Sequence, residues 1–287
     1  MVAWSQPGDQ TAVMEQQLTR DITAEEKRAF WRDGAVCLRN MFDADWVERM
    51  RTAIDDAIAN PGPMKLDMDQ GLAGRFHGDS FVWTWQDDFR AFVFDSPAGK
   101  IAQQVLGAQE RVTLFFDTLL VKEPGSEAVT PWHHDQPYWP VDGEQVCTVW
   151  TPFDPVTRES GAVEYLIGSH RWGKRFQPQS FTGDNRYGNA LEPLPDIEAI
   201  RDQHEFVIYE TAPGDCIVHH GLTIHSAPGN SNVSIRRRAL ATRFCGDDVT
   251  YRPEGSFQPL IREPVIKSGA PLESDLFPRV WSPSATT

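Results

Sequence analysis

The chain has 287 residues, and 41 Asp and Glu against 27 Lys and Arg give it a formal charge of −14. That acidic balance excludes nucleic acid and anionic membrane as expected partners, because both call for a basic footprint. Hydrophobic residues at 40% and charged residues at 24% match ordinary globular usage, which excludes a largely disordered chain.

Residues 1–17 read as a flexible N-terminal tail, without an apolar period and without the charged-then-apolar layout of a secretory signal. Thr23 and Glu26 form a capping box that opens a helix ending at Gly34. Ala35–Leu38 then reads as a short strand. Asp43 caps a second helix, in which Trp46, Val47, Met50, Ile54 and Ile58 fall at helical spacing. Ser96 and Pro97 open a third, which runs to Gly107. From Arg111 the texture changes to short β-rich runs: Val112–Val121, Val146–Phe153, Ala162–Ile167, Glu205–Glu210, Asp215–Ser226 and Arg237–Cys245. The Gly- and Pro-rich stretch Phe176–Pro195 interrupts them and reads as a functional or lid-like loop.

The expected architecture is mainly β, a strand sandwich or barrel with helices packed outside. Residues 18–287 form one domain in this reading, with a helical layer mainly over 23–107, a β core over about 111–250 and an extended tail over about 255–287. The cysteines Cys37, Cys147, Cys216 and Cys245 stand far apart in apolar runs and read as free thiols. No apolar run approaches the roughly 18 residues of a membrane span. A cytoplasmic protein acting on a small molecule is expected.

The densest polar cluster runs from Pro131 to Pro140 and contains His133, His134 and Asp135. Residues two apart in a strand share a face, so His133 and Asp135 can converge while His134 points away. One imidazole and one carboxylate are a start for a divalent metal, although H-x-D alone arises often by chance. A second β run holds His219, His220 and His225. A third donor from this run would complete a two-His, one-carboxylate face with positions left open, the arrangement that suits non-haem Fe(II). His219 and His220 are rivals to His225, and packing or support of a ligand is the better reading for both.

The third cluster is the arginine run Arg236, Arg237 and Arg238, continued to Arg243. In a strand one or two of these side chains must point inward, and a buried guanidinium needs a carboxylate, from the protein or from a ligand. Strand alternation puts Arg237, Ala239, Ala241 and Arg243 on one face and Arg236, Arg238, Leu240 and Thr242 on the other. The aromatic stretch Phe81–Trp85, together with Tyr138 and Trp139, offers candidate substrate walls, with core packing equally probable for Phe81 and Trp83.

The ordered set resembles the phytanoyl-CoA dioxygenase (PhyH) family: H-x-D at 133–135, Trp150 to Asp154 with Gly161 to His170, Gly214-Asp215 before His225, then Arg-Arg-Ala-Leu at 237–240. The similarity runs from about Thr23 to Asp248. It implies a double-stranded β-helix (jelly-roll) core, Fe(II), 2-oxoglutarate as co-substrate and O2. By motif it makes His133, Asp135 and His225 the iron ligands and catalytic centre, and Trp150 and Thr118 co-substrate contacts. The family arginine for the far carboxylate falls on Arg236 when counted from His225 and on Arg237 when aligned on the strand. A one-residue gain is absorbed by a turn, whereas in a strand it would turn every side chain over, so Arg237 is the choice. The expected reaction is hydroxylation of a small or medium-sized metabolite with release of succinate and CO2. The alternatives are a non-catalytic metal-binding jelly-roll module, a zinc hydrolase, or a related outcome such as halogenation, desaturation or ring formation. The presence of Asp135 disfavours halogenation, which needs that ligand position for chloride.

Overall fold

A computed structural model describes residues 17–69, 71–179, 187 and 190–283, so most of the expected N-terminal tail and part of the expected loop lie outside the described residues. The helical layer begins as the capping signals dictate. In α1 (Ala24–Asp33) the Glu26 amide donates to Thr23 Oγ1 at 3.2 Å and the Thr23 amide to the Glu26 carboxylate at 2.8 Å. Gly34 ends it at φ 87°, where a Cβ would also collide with His170 and Thr223. Strand β1 (Ala35–Leu38) follows, then α2 (Ala44–Ala59), whose Asp43 cap accepts from the Trp46 amide at 2.9 Å. The short β2 (Leu66–Asp67) and β3 (Phe76–Ser80) pair as a hairpin before α3 (Asp87–Asp95) and α4 (Ala98–Leu106).

The strands that follow are β4 (Val112–Lys122), β5 (Thr130–His133), β6 (Val141–Asp142), β7 (Val146–Pro152), β8 (Glu164–Leu166) and β9 (Phe206–Ile208). They continue with β10 (Cys216–His220), β11 (His225–Ala227), β12 (Arg237–Cys245), β13 (Thr250–Tyr251) and β14 (Arg279–Trp281). One large antiparallel sheet has the order β1-β10-β7-β12-β4-β3-β2, with β14 also on β4, and a smaller one has the order β5-β11-β8-β9. This is the expected jelly-roll plan with helices outside. On the large sheet Val121, Val149, Val218, Leu240 and Phe244 join the helices in one core. The alternate residues Trp150, Ile217, Ala239 and Ala241 meet Tyr165, Val163 and Ala227 in a second core that includes the small sheet. The site lies between the two sheets.

One expectation is corrected here and two are made more definite. The run Asp215–Ser226 is two strands in different sheets, β10 in the large one and β11 in the small one, with a turn at Gly221–Leu222 between them. Phe81 and Trp83 are packing residues: Phe81 stacks on Phe116 at 5.2 Å, and Trp83 is buried among the helices. The tail beyond Gly255 buries Leu272, Leu276 and Phe277 and returns as β14, so it is part of the sheet as well as a wrap around it. The cysteines are free thiols, three buried and Cys37 half-buried.

Candidate active site

Strand pairing brings the first two donors together. His133, the last residue of β5, is the direct cross-strand partner of His225, the first residue of β11, and their ring centroids are 4.2 Å apart. Asp135 reaches them by a different route from the one the sequence suggests. The strand ends at His133, and Asp135 has helical backbone angles (φ −73°, ψ −48°) at the start of a 3₁₀ turn. That turn, rather than strand alternation, swings its carboxylate back beside His133, with Oδ1 at 3.5 Å from Nε2. One donor atom from each of the three residues lies within 4.8 Å of the other two, and all three residues are buried. His134 does point away, its Nε2 accepting from the Phe176 amide at 2.9 Å.

The surroundings prepare these atoms for a cation. His133 Nδ1 lies 2.8 Å from the Pro131 carbonyl and His225 Nδ1 lies 2.9 Å from that of Thr223. Each carbonyl takes the Nδ1 proton and leaves the Nε2 lone pair free. Burial, helped by His133 and His219, holds the His225 imidazole well below its usual range, so it is neutral at physiological pH. Burial alone would raise Asp135, but the imidazoles of His133 and His219 beside it and the charge of Arg243 outweigh it and hold the carboxyl well below its usual range. Its Oδ2 accepts from Thr148 Oγ1 at 2.9 Å and faces His219 Nε2 at 3.3 Å. Tyr165 hydroxyl lies 3.4 Å from His219 Nδ1, which fixes that ring in turn. His219 therefore supports Asp135, while His220 Nε2 bonds the Glu144 carbonyl outside the site. Two imidazoles and one ionised carboxylate fit a first-row divalent ion with open positions.

A cavity of about 410 Å³ opens from this cluster. The Arg237 and Arg243 side chains both line it, with Ala241 between them, as alternation along β12 requires. Arg237 is buried, its Cζ lies 5.6 Å from the Trp150 ring centre, and Nη1 donates to the Gly161 carbonyl at 3.1 Å. Its Nε has no hydrogen-bond partner among the described residues, and burial pushes its pKa down to about 10. Arg236 and Arg238 lie on the other face, with Arg236 at 2.8 Å from Asp55 and Glu123 and Arg238 bound to Asp154. Thr118 lines the cavity beside Ala241, its Oγ1 3.1 Å from Ser80 Oγ. The outer walls are Met64, Leu66, Met68, Phe76, Val129 and Trp139.

The sequence reading assigned no role to the β2–β3 hairpin, which supplies much of that apolar wall, nor to Thr148 and Arg243. Thr148 could have been found, because it lies two residues from Trp150 in one strand and so shares its face.

Comparison with known proteins places the chain in a family. A probable phytanoyl-CoA dioxygenase of Caenorhabditis elegans is 22% identical over 264 residues, which cover 86% of this chain and 83% of the relative. The multifunctional dioxygenase prhA of Penicillium brasilianum is 28% identical over 229 residues, 74% of this chain and 69% of the relative. Among solved structures, the non-heme alpha ketoglutarate dependent carbocyclase SnoK from nogalamycin biosynthesis superposes with a TM-score of 0.74 at 24% identity, covering 93% of this chain and 99% of that one. EctD from S. alaskensis, solved with 2-oxoglutarate and 5-hydroxyectoine, gives 0.64 at 21% identity, with 86% of each chain covered. The profile of the phytanoyl-CoA dioxygenase (PhyH) family matches residues 30–239, and the chain therefore belongs to that family of Fe(II)- and 2-oxoglutarate-dependent oxygenases.

Proposed function

We propose that the protein hydroxylates a small or medium-sized, mainly apolar metabolite, with Fe(II) held by His133, Asp135 and His225 and with 2-oxoglutarate anchored by Arg237. The observation that carries this reading is the pairing, in one cavity, of the three-donor cluster with a buried guanidinium that has no carboxylate partner among the described residues. Iron, 2-oxoglutarate and dioxygen together supply an oxidant that can break a C–H bond, with decarboxylation to succinate. The residues of the chain do the rest. The Pro131 and Thr223 carbonyls fix the imidazole tautomers, and Thr148 and His219 both engage Asp135 Oδ2, so that Oδ1 would be left for the ion. Arg237 supplies a planar fork for the far carboxylate of the co-substrate, Trp150 gives that co-substrate a flat wall, and Ala239 and Ala241 leave it room. Thr118 adds a polar edge on the neighbouring strand. The apolar walls exclude water and favour a hydrocarbon body over a sugar or a peptide.

A purely structural metal site is normally closed by a fourth protein donor, and among the described residues this cluster has three. The carbocyclase and epimerase among the structural neighbours make the fate of the broken C–H bond the point to test. The experiment is turnover under ¹⁸O₂ with Fe(II) and 2-oxoglutarate, screening metabolite pools for compounds that accelerate succinate release. Hydroxylation places one ¹⁸O in the product and one in succinate. A product that is cyclised, epimerised, desaturated or chlorinated and carries no label overturns the hydroxylase reading. Absence of succinate with every compound overturns the oxygenase reading for this site.

A further inference from the structure

The four arginines between Arg236 and Arg243, three of them in β12, divide sharply by face. Arg236 and Arg238, outside, are matched by Asp55, Glu123 and Asp154. Among the described residues, Arg237 and Arg243, inside, have no carboxylate within hydrogen-bond distance. For Arg237 the co-substrate answers the question, and for Arg243 nothing yet described does. Its Cζ lies 4.2 Å from the Phe116 ring centre and 5.7 Å from that of Trp139, so the planar group is fixed by aromatic neighbours. Nη1 donates to Thr118 Oγ1 at 2.8 Å and to the Ala241 carbonyl at 3.1 Å. Nε is buried with no hydrogen-bond partner among the described residues. The nearest acid, Asp135 Oδ2, is 3.9 Å from it, beyond bonding distance, and already serves Thr148 and His219.

A buried cation with an unused donor costs several kcal/mol unless something negative meets it. The charges of the loaded site leave that place open. Fe(II) is balanced by Asp135 and the C1 carboxylate of 2-oxoglutarate, and Arg237 by its far carboxylate, so Arg243 is the charge left over, to be met by a further acid or by a C1 carboxylate shared with the ion. It also sits at the metal end of the cavity. On the strand it is opposite Thr148, which holds Asp135, whereas Arg237 is six residues away along β12.

We infer that Arg243 is a second carboxylate anchor, at the metal end of the cavity, and that the ligand it holds is an apolar acid or the C1 carboxylate of the co-substrate. This rests on the oxygenase reading for the co-substrate arm only. In the first arm, 2-oxoglutarate is titrated anaerobically into the Fe(II)-loaded protein, and the Fe(II)–2-oxoglutarate absorption is followed for wild type, Arg243→Met and Arg243→Lys. In the second, compact cyclic and linear carboxylates of increasing size, each paired with its carboxamide, are titrated calorimetrically into the Zn(II)-loaded protein with and without 2-oxoglutarate.

If the acid belongs to the substrate, wild type prefers carboxylate to carboxamide by 10-fold or more, Arg243→Met abolishes the preference, and 2-oxoglutarate affinity stays within 2-fold. If it is the C1 group, Arg243→Met weakens 2-oxoglutarate at least 10-fold. Arg243→Lys, which keeps the charge but not the fork, falls between the two in either case and serves if the Met variant does not fold. The inference is overturned if no acid outcompetes its amide and both variants bind 2-oxoglutarate like wild type. Failure of wild type itself to bind 2-oxoglutarate would strike the oxygenase reading, while the Zn(II) arm without co-substrate would still read Arg243.

Discussion

At the scale of single residues, the proposed assignments separate side chains that lie next to one another in sequence. His133→Ala, Asp135→Ala and His225→Ala should each abolish high-affinity Fe(II) binding in an anaerobic titration while circular dichroism still reports a folded chain. His134→Ala should keep the metal and lose thermal stability instead, because its ring accepts the Phe176 amide. Thr148→Val removes one of the two bonds on Asp135 Oδ2 and should weaken metal binding by about 10–100-fold. Arg237→Lys should raise KM for 2-oxoglutarate by roughly 10–100-fold, since an ammonium cannot present two parallel donors, whereas Arg236→Ala, on the far face, should leave KM near wild type. The contrasts of His133 with His134 and of Arg237 with Arg236 were legible in the sequence because they depend on period-2 alternation, and β12 has the bounds the sequence reading gave it. The Asp135 geometry was not legible. A 3₁₀ turn and a strand both place residues 133 and 135 near each other, and the choice between them is made by Pro137 and the backbone of the turn.

At the scale of elements, local signals served where they were strong. The Thr23 box, the Asp43 cap and the Gly34 and Gly107 stops all lie where the helices begin and end. Helix α3 was missed although Phe89, Phe92 and Val93 carry its period, because its cap is Gln86, an uncommon residue there, and an aromatic cluster precedes it. Gly34 joins α1 to β1 in a left-handed conformation against His170 and Thr223, so Gly34→Ala should cost about 1–3 kcal/mol in chemical denaturation. A different test belongs to β4. Burial pushes the Asp117 carboxyl up from 3.8 to about 7, against the opposing bond from the Trp83 amide and the charge of Arg243. The folded state thus holds this proton more tightly than the unfolded chain, and stability falls as pH rises from about 4 to about 7, then levels. Asp117→Asn should raise the melting temperature at pH 8.5, by an amount on the order of 1–3 kcal/mol in stability, and should do little near pH 4.5. An equal gain at both pH values would show that the carboxyl is not protonated in the fold.

At the scale of the whole molecule, the two sheets divide the proposed work. His133, Asp135 and His225 all come from the small sheet or the turn at its edge, whereas Arg237, Trp150 and Thr118 stand on the large one. The split of the Asp215–Ser226 run between the sheets is what lets His219, on the large sheet, brace Asp135 while His225, six residues on, belongs to the small one. Metal alone would therefore tighten mainly one layer, and 2-oxoglutarate would rivet the two layers together. Amide hydrogen exchange should slow modestly in β5 and β11 with Zn(II), and more widely, in β7, β8 and β12 as well, when 2-oxoglutarate is added. Because that rivet is consumed in each cycle, the sandwich would be fastened on loading and unfastened when succinate departs. The grip on a greasy product would then relax at the moment the product has to leave, without any hinge built for the purpose.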